Sequence, residues 1–210
     1  MAHDDHDGEQ GHDHRAEGDR ARRHPHRDPG SPGRENPAAE PQAKVPGEHK
    51  ARAPAYARVY VITCSDTRTA ETDEGGRFIR ERIADLGHVH AGSAIVRDEP
   101  VLIAAELARA AQAGAQAVLV TGGTGLSRRD ATFEAISAVL VRPIPGFGEL
   151  FRNLSYAEIG SAAMLSRAVA GVTEDGLIVF AMPGSPGAVR LACERLIFPE
   201  LTHLLEELGR

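Results

Sequence analysis

Apolar residues along this chain fall into short unbroken runs and into spaced sets, and the two patterns predict two kinds of element. Arg58-Val59-Tyr60-Val61-Ile62-Thr63 is unbroken and β-branched, the pattern of a buried strand. It ends in the polar loop Cys64 to Arg68. From Glu74 to Leu86 the apolar positions Ile79, Ile83 and Leu86 fall at i, i+4 and i+7, which predicts a helix with Gly87 as its stop. Val89 to Val96 predicts a second strand. Arg97-Asp98-Glu99-Pro100 then opens a helix to Gly114, with Pro100 suited to its first turn. Ala117 to Val120 is a third buried run that empties into Thr121-Gly122-Gly123-Thr124-Gly125. After it, Asp130 and the periodic Phe133, Ile136 and Leu140 predict another helix.

Beyond Pro143, residues Ile144 to Arg152 predict a turn and a short helix, and Ser155 to Met164 a second helix in which Ala162-Ala163 permits close packing. Ser166-Arg167 begins an extended segment to about Val172. Thr173 to Gly176 turns the chain into a last buried strand, Leu177 to Ala181, and these two runs can pair as a hairpin. The loop Met182-Pro183-Gly184-Ser185-Pro186-Gly187 leads to a helix from Ala188 to about Phe198 and a final helix from Pro199. Strands alternating with helices predict an α/β domain.

Composition divides the 210 residues near position 53. Residues 1–53 contain no Leu, Ile, Phe, Tyr or Trp, and only Met1 and Val45 among the larger apolar types. Such a segment cannot offset the entropy of ordering, so a disordered extension and linker is expected there, with one domain over residues 54–210. His3, His6, His12, His14, His24 and His26 lie among carboxylates in the extension. That tract suits nickel, copper or zinc, or else is a solvated leader with only adventitious affinity, the plainer reading for a segment without fixed geometry.

The formal net charge of −6 argues against a nucleic-acid partner. The longest apolar run, Leu177 to Met182, is far short of a membrane span, and the acidic N-terminus does not have the form of a secretory signal. A cytoplasmic protein acting on small molecules is the expectation. Cys64 and Cys193 are too few and too far apart for a zinc cluster and are expected to be small buried hydrophobes.

The candidate chemistry lies where strands give way to helices. Gly122, Gly123 and Gly125 let a ligand approach the backbone around Thr124, which suits phosphate or a pterin ring. The loop is neither a P-loop nor a dinucleotide fingerprint, since no Gly-Lys-Ser/Thr follows and the spacing is GGTG. A tight turn with no ligand explains it equally well by itself. Ser65 and Asp66 stand at the end of the first strand, where ligand contacts occur and where turn chemistry also places such residues. Asp98 either caps the helix that follows it or offers a carboxylate to magnesium, and Asp130 has the same two readings. If the strands are parallel, the GGTG and MPGSPG loops open on one edge of the sheet.

Taken in order, SDTR, VRDEP, TGGTGLSRRDATFEA, PGFGELFRNLSYAEIGSAAMLSRAVAG and MPGSPGAV resemble the MoaB/Mog family of molybdenum cofactor biosynthesis proteins, over residues 56–208. The resemblance implies a three-layer α/β/α fold with a mostly parallel central sheet, a homotrimer and a pocket for molybdopterin. For active members it implies adenylylation of molybdopterin with ATP and Mg2+, and hand-off to a separate molybdenum-insertion protein. Other members are binding or carrier proteins without chemistry. By motif, the catalytic and metal-holding carboxylates fall on Asp98 and Asp130. The ligand-lining segments fall on Gly122, Gly123, Thr124 and Gly125 and on Pro183, Gly184 and Ser185, with Ser166 of the LSR motif a further candidate. Arg128 or Arg129 would screen a phosphate. Phe133 stands where the family commonly has Pro, which puts the geometry of that first helical turn in question.

Overall fold

A computed structural model describes residues 54–209. The expectations of disorder and metal affinity for the histidine-bearing extension lie outside these residues. Among the described residues six strands form one sheet in the order β2-β1-β3-β6-β5-β4. In it β1 (Arg58–Cys64) lies parallel to β2 (Val89–Val96) and to β3 (Ala117–Thr121), and β3 lies parallel to β6 (Ile178–Met182). β5 (Val169–Thr173) runs antiparallel to β6, the expected hairpin, and to β4 (Leu140–Pro143).

Every residue of β3 and β6 is buried, as a parallel sheet covered on both faces requires. Alternate side chains serve the two faces. Val59, Val61, Leu119, Ile178 and Phe180 pack with α1 (Glu74–Asp85), α4 (Pro145–Ile159), α5 (Pro186–Ala192) and α6 (Phe198–Glu207). Tyr60, Ile62, Val118, Val120 and Val179 pack with α2 (Pro100–Gln112) and α3 (Thr132–Val139). The result is the expected three-layer α/β/α arrangement. No helix among the described residues is long and apolar enough to cross a membrane.

Three elements differ from the sequence expectation. Leu140 continues the helical spacing of Phe133 and Ile136 but begins β4, a four-residue strand with three exposed positions that is held by pairing to β5. The two helices expected over 144–164 are one helix, α4, ended by Gly160 at φ 62° and followed by a 3-10 turn, Gly160–Leu165. A π-helical turn, Cys193–Ile197, joins α5 to α6.

Candidate functional site at the carboxyl edge of the parallel strands

Because β1, β2, β3 and β6 run the same way, the loops that follow them emerge on one edge, where an open α/β sheet binds its ligands. A cleft of about 280 Å³ opens there. Its walls carry Ser65, Asp66 and Arg68 after β1, Asp98 after β2, Gly122, Gly123, Arg129 and Asp130 after β3, and Gly184 after β6. The structure thus brings together the two carboxylates and both glycine-bearing loops.

The loops approach so closely that side chains would not fit. Gly122 has φ 92°, and a Cβ on it would lie 2.3 Å from the Cys64 carbonyl oxygen. A Cβ on Gly184 would lie 3.0 Å from Gly122 Cα. The Gly122 amide donates to the Met182 carbonyl at 3.1 Å, prolonging the β3–β6 ladder, so this amide is committed to the sheet. Loop amides that can face an anion therefore start at Gly123.

Asp98 is 4% exposed and does not cap its own helix; Glu99 occupies the N-cap of α2 and makes no side-chain cap bond. Instead Asp98 reaches across to the start of α3. Its Oδ1 accepts from Thr132 Oγ1 at 2.8 Å and its Oδ2 from the Ala131 amide at 3.2 Å. A carboxylate at the amino end of a helix is favoured by the helix dipole, which explains why a charged residue tolerates this burial. Asp130 closes the turn before α3, its Oδ2 accepting from the Ser127 amide at 3.1 Å. Neither carboxylate is exhausted. Asp98 takes one bond per oxygen, and Asp130 Oδ1 has no protein partner among the described residues.

No group of three or more His, Cys, Asp or Glu residues able to hold a metal occurs among the described residues. Two carboxylates on one cleft fit magnesium, which keeps several waters and is held by one or two carboxylates together with substrate phosphates. They do not form the complete cage that a transition metal selects.

The cleft also carries two guanidinium groups, Arg68 and Arg129, each beside a carboxylate. Arg129 grips Asp66 with two parallel hydrogen bonds, Nε to Oδ2 at 2.6 Å and Nη2 to Oδ1 at 2.8 Å, across 63 residues of sequence. Arg97 lies 3.7 Å from Asp66, and Glu99 lies 3.7 Å from Arg129. The hydrogen bonds from Arg129 hold the Asp66 carboxyl below the usual carboxylate range. Arg68 Nη2 donates to the Gly184 carbonyl at 2.7 Å and Nη1 stands 3.6 Å from Asp73, the carboxylate that caps α1. Among the described residues, Arg68 Nη1 and the fully buried Thr121 Oγ1 have no hydrogen-bond partner, so the cleft has polar capacity that its own walls do not use.

Other candidates hold the loops in place. Ser65 Oγ accepts from the Thr67 and Arg68 amides at 3.3 and 3.2 Å, shaping its own turn even as it lines the cleft. Ser185 caps α5, accepting from the Ala188 amide at 3.4 Å, and is exposed beside the half-buried Pro183. Thr124 is buried behind the loop, and Gly125 is exposed, with Asp130 Oδ2 2.5 Å from where its Cβ would be. Ser166 ends the 3-10 turn through its amide, which donates to Ala163 at 3.0 Å.

Its neighbour Arg167 is the residue that sequence reasoning missed. Arg167 Nε donates to the Thr124 carbonyl at 2.8 Å, Nη2 donates to the Gly125 carbonyl, and the same guanidinium pairs with Glu134 and lies 4.7 Å from the Phe133 ring centroid. Pairing with Arg167 holds the Glu134 carboxyl low. Phe133 thus gives Arg167 a face to stack on, and the turn in question is braced from outside the loop. The signal in the sequence is the LSR motif, in which Arg167 follows Ser166.

Cys64 also lines the cleft, but burial pushes its thiol up to about 12, with Thr132 opposing and Asp98 adding to the shift. Burial likewise pushes Cys193 up to about 12. Both thiols stay protonated at neutral pH, as expected of buried structural cysteines.

Known proteins resemble this chain in sequence and in fold. Residues 60–203 match a family described as a probable molybdopterin binding domain. Molybdenum cofactor biosynthesis protein B of Bacillus anthracis is 50% identical over 165 residues, covering 78% of this chain and 97% of its own. A crystal structure of a molybdenum cofactor biosynthesis protein B, 49% identical, superposes with a TM-score of 0.71 over 76% of this chain and 99% of the other. The tungsten cofactor synthesizing protein MoaB of Pyrococcus furiosus, 36% identical, superposes at 0.69 over 75% of this chain and all of its own.

Proposed function

We propose that this chain, which belongs to the MoaB/Mog family of molybdenum cofactor biosynthesis proteins, binds molybdopterin in the cleft at the carboxyl edge of its sheet and adenylylates it with ATP and Mg2+. The observation that carries this reading is the placement of Asp98 and Asp130, from two separate strand-to-helix junctions, on the wall of one cleft that also presents Arg129.

In the reaction an oxygen of the terminal phosphate of molybdopterin attacks the α-phosphorus of ATP. A new P–O bond forms, the bond from the α-phosphorus to its bridging oxygen breaks, and pyrophosphate leaves with that oxygen. The nucleophile is already an anion, so the protein needs no strong base. Its work is to align two repelling anions and to neutralise the charge that gathers between them. Magnesium bound by Asp98 and Asp130 would supply charge neutralisation at the triphosphate. Arg129, which lines the cleft as Arg128 does not, offers a guanidinium for a second phosphate. Amides from Gly123 onward bind a further anionic oxygen. Gly184 lets the loop after β6 pack directly on Gly122, which brings both loops to the cleft wall.

Exposed apolar side chains at the end of α4 and in the turn after it, Tyr156, Ile159, Met164 and Leu165, support assembly into a homotrimer. The adenylylated product then passes to a molybdenum-insertion protein in the cytoplasm.

One observation favours a second reading, a non-catalytic molybdopterin carrier: both Asp98 oxygens already accept hydrogen bonds from α3, the arrangement of a structural carboxylate. Incubating the full chain with molybdopterin, ATP and magnesium and measuring pyrophosphate separates the two. Stoichiometric pterin binding without pyrophosphate release would establish the carrier.

A further inference from the structure

The hydrogen bonds between Asp66 and Arg129 join the loop after β1 to the loop after β3, and both residues line the cleft. A guanidinium fork binds the two oxygens of a carboxylate and two oxygens of a phosphate with the same geometry. In this structure the fork of Arg129 is filled by a carboxylate from its own chain.

We propose that the Asp66 carboxylate is an internal stand-in for a ligand phosphate, occupying Arg129 until a phosphorylated ligand displaces it. The inference rests on the reading of this cleft as a phosphate-binding site. Three features favour displacement over a permanent brace. The pair is open to solvent, with 34% of the Asp66 side chain and 48% of the Arg129 side chain accessible, so an incoming anion can reach the fork. Asp66 does not lose all cationic company on release, because Arg97 stands 3.7 Å away. Arg129 gains on exchange, since a phosphate brings more charge than a single carboxylate, while Glu99 stays within 3.7 Å. Asp66 therefore sets a threshold. Only ligands whose anionic group outcompetes a carboxylate engage Arg129, which selects phosphates over the carboxylates of common metabolites.

The test is calorimetric titration of the full chain with inorganic pyrophosphate, in the wild type, Asp66→Asn, Arg129→Gln and the double variant. Removing the stand-in should tighten binding roughly two- to fivefold in Asp66→Asn, and Arg129→Gln should weaken it about tenfold or more. In the double variant the gain from Asp66→Asn should vanish, because there is no fork left to release. Persistence of that gain in the double variant would reduce Asp66 to a general repulsive charge and overturn the proposal. Weakened binding in Asp66→Asn would overturn it too, by making Asp66 the residue that orients Arg129; so would the absence of measurable pyrophosphate binding to any variant. These titrations involve no turnover, so the clasp stands or falls separately from the adenylyl transfer. A chain that binds pyrophosphate as described yet never releases it from ATP would refute the reaction alone.

Discussion

Asp98 and Thr132, 34 residues apart in sequence, share a buried hydrogen bond of 2.8 Å that ties the end of β2 to the first residue of α3. A charge held in this way serves structure and site together, and the two roles can be separated. Thr132→Val removes the donor and leaves the carboxylate under-satisfied. It should cost on the order of 1–3 kcal/mol in urea unfolding. Asp98→Asn can keep both contacts, its oxygen accepting from the Ala131 amide and its NH2 donating to Thr132 Oγ1, and so should cost less, while abolishing magnesium-dependent pyrophosphate release. An Asp98→Asn protein with undiminished turnover would remove this residue from the metal site.

Gly123 packs against the same carboxylate. It has φ 62°, and a Cβ there would meet Asp98 Oδ2 at 2.2 Å and Thr132 Oγ1 at 2.3 Å. Gly123→Ala should therefore destabilise the fold by roughly 2 kcal/mol or more, combining left-handed strain with a clash against a group that cannot retreat. Gly146, in the first turn of α4, has nothing within 4 Å of its would-be Cβ, and Gly146→Ala should be neutral or stabilising by up to about 1 kcal/mol. Thermal unfolding of the pair checks the contrast. Equal effects would mean that the glycine loop is not so closely packed.

Arg167 braces the GGTG loop from behind through two carbonyls and Glu134. Arg167→Ala should cost about 1–3 kcal/mol and lower pyrophosphate release together with pterin affinity. Lysine should restore less than half of the loss, because an ammonium is a point charge and does not span three acceptors in a plane. Phe133→Ala should cost about 0.5–1 kcal/mol through the lost stacking. Full rescue by lysine would show that charge alone matters at this position.

The pH dependence of stability has a window set by His88. Its Nδ1 accepts the Ala57 amide at 3.2 Å, its ring stacks with Phe198, and burial lowers its pKa. A lowered histidine pKa means that the unfolded chain binds more protons than the folded one. The contribution is thus complete above the unfolded value of about 6.5 and is lost as pH falls through that value towards the folded one. His90 is lowered by burial and then by Arg80, and acts in the same direction. Urea midpoints should fall between pH 7.5 and pH 5.5, and His88→Gln should flatten that fall. Asp66 and Glu134, whose carboxyls are held low, lose their contributions only in the carboxylate range, a separate and more acidic window. A slope confined to that acidic window would assign no role to His88.

The sequence by itself determined most of the element order and the site's raw material. Unbroken apolar runs such as Val118 to Val120 specify strands buried on both faces, helical spacing at Ile79 and Ile83 specifies α1, and glycines at strand ends need no partner to be recognised as close-approach positions. Asp98 and Asp130 were legible for the same reason, since each stands at a junction that local patterning marks. What tertiary structure alone decided are relations between distant segments. The strand order places β1 beside β3 and β3 beside β6, and only then do the loops carrying Asp66, Arg129 and Gly184 share a cleft. β4 is defined by its pairing with β5, because four residues with three exposed have no period of their own. Arg167 meets its carbonyl partners only after the chain has crossed the sheet and returned, and Asp98 gives its hydrogen-bonding capacity to a helix other than the one it precedes. Local propensity acts over a few residues, whereas these contacts span 33 to 63, so no local pattern encodes them.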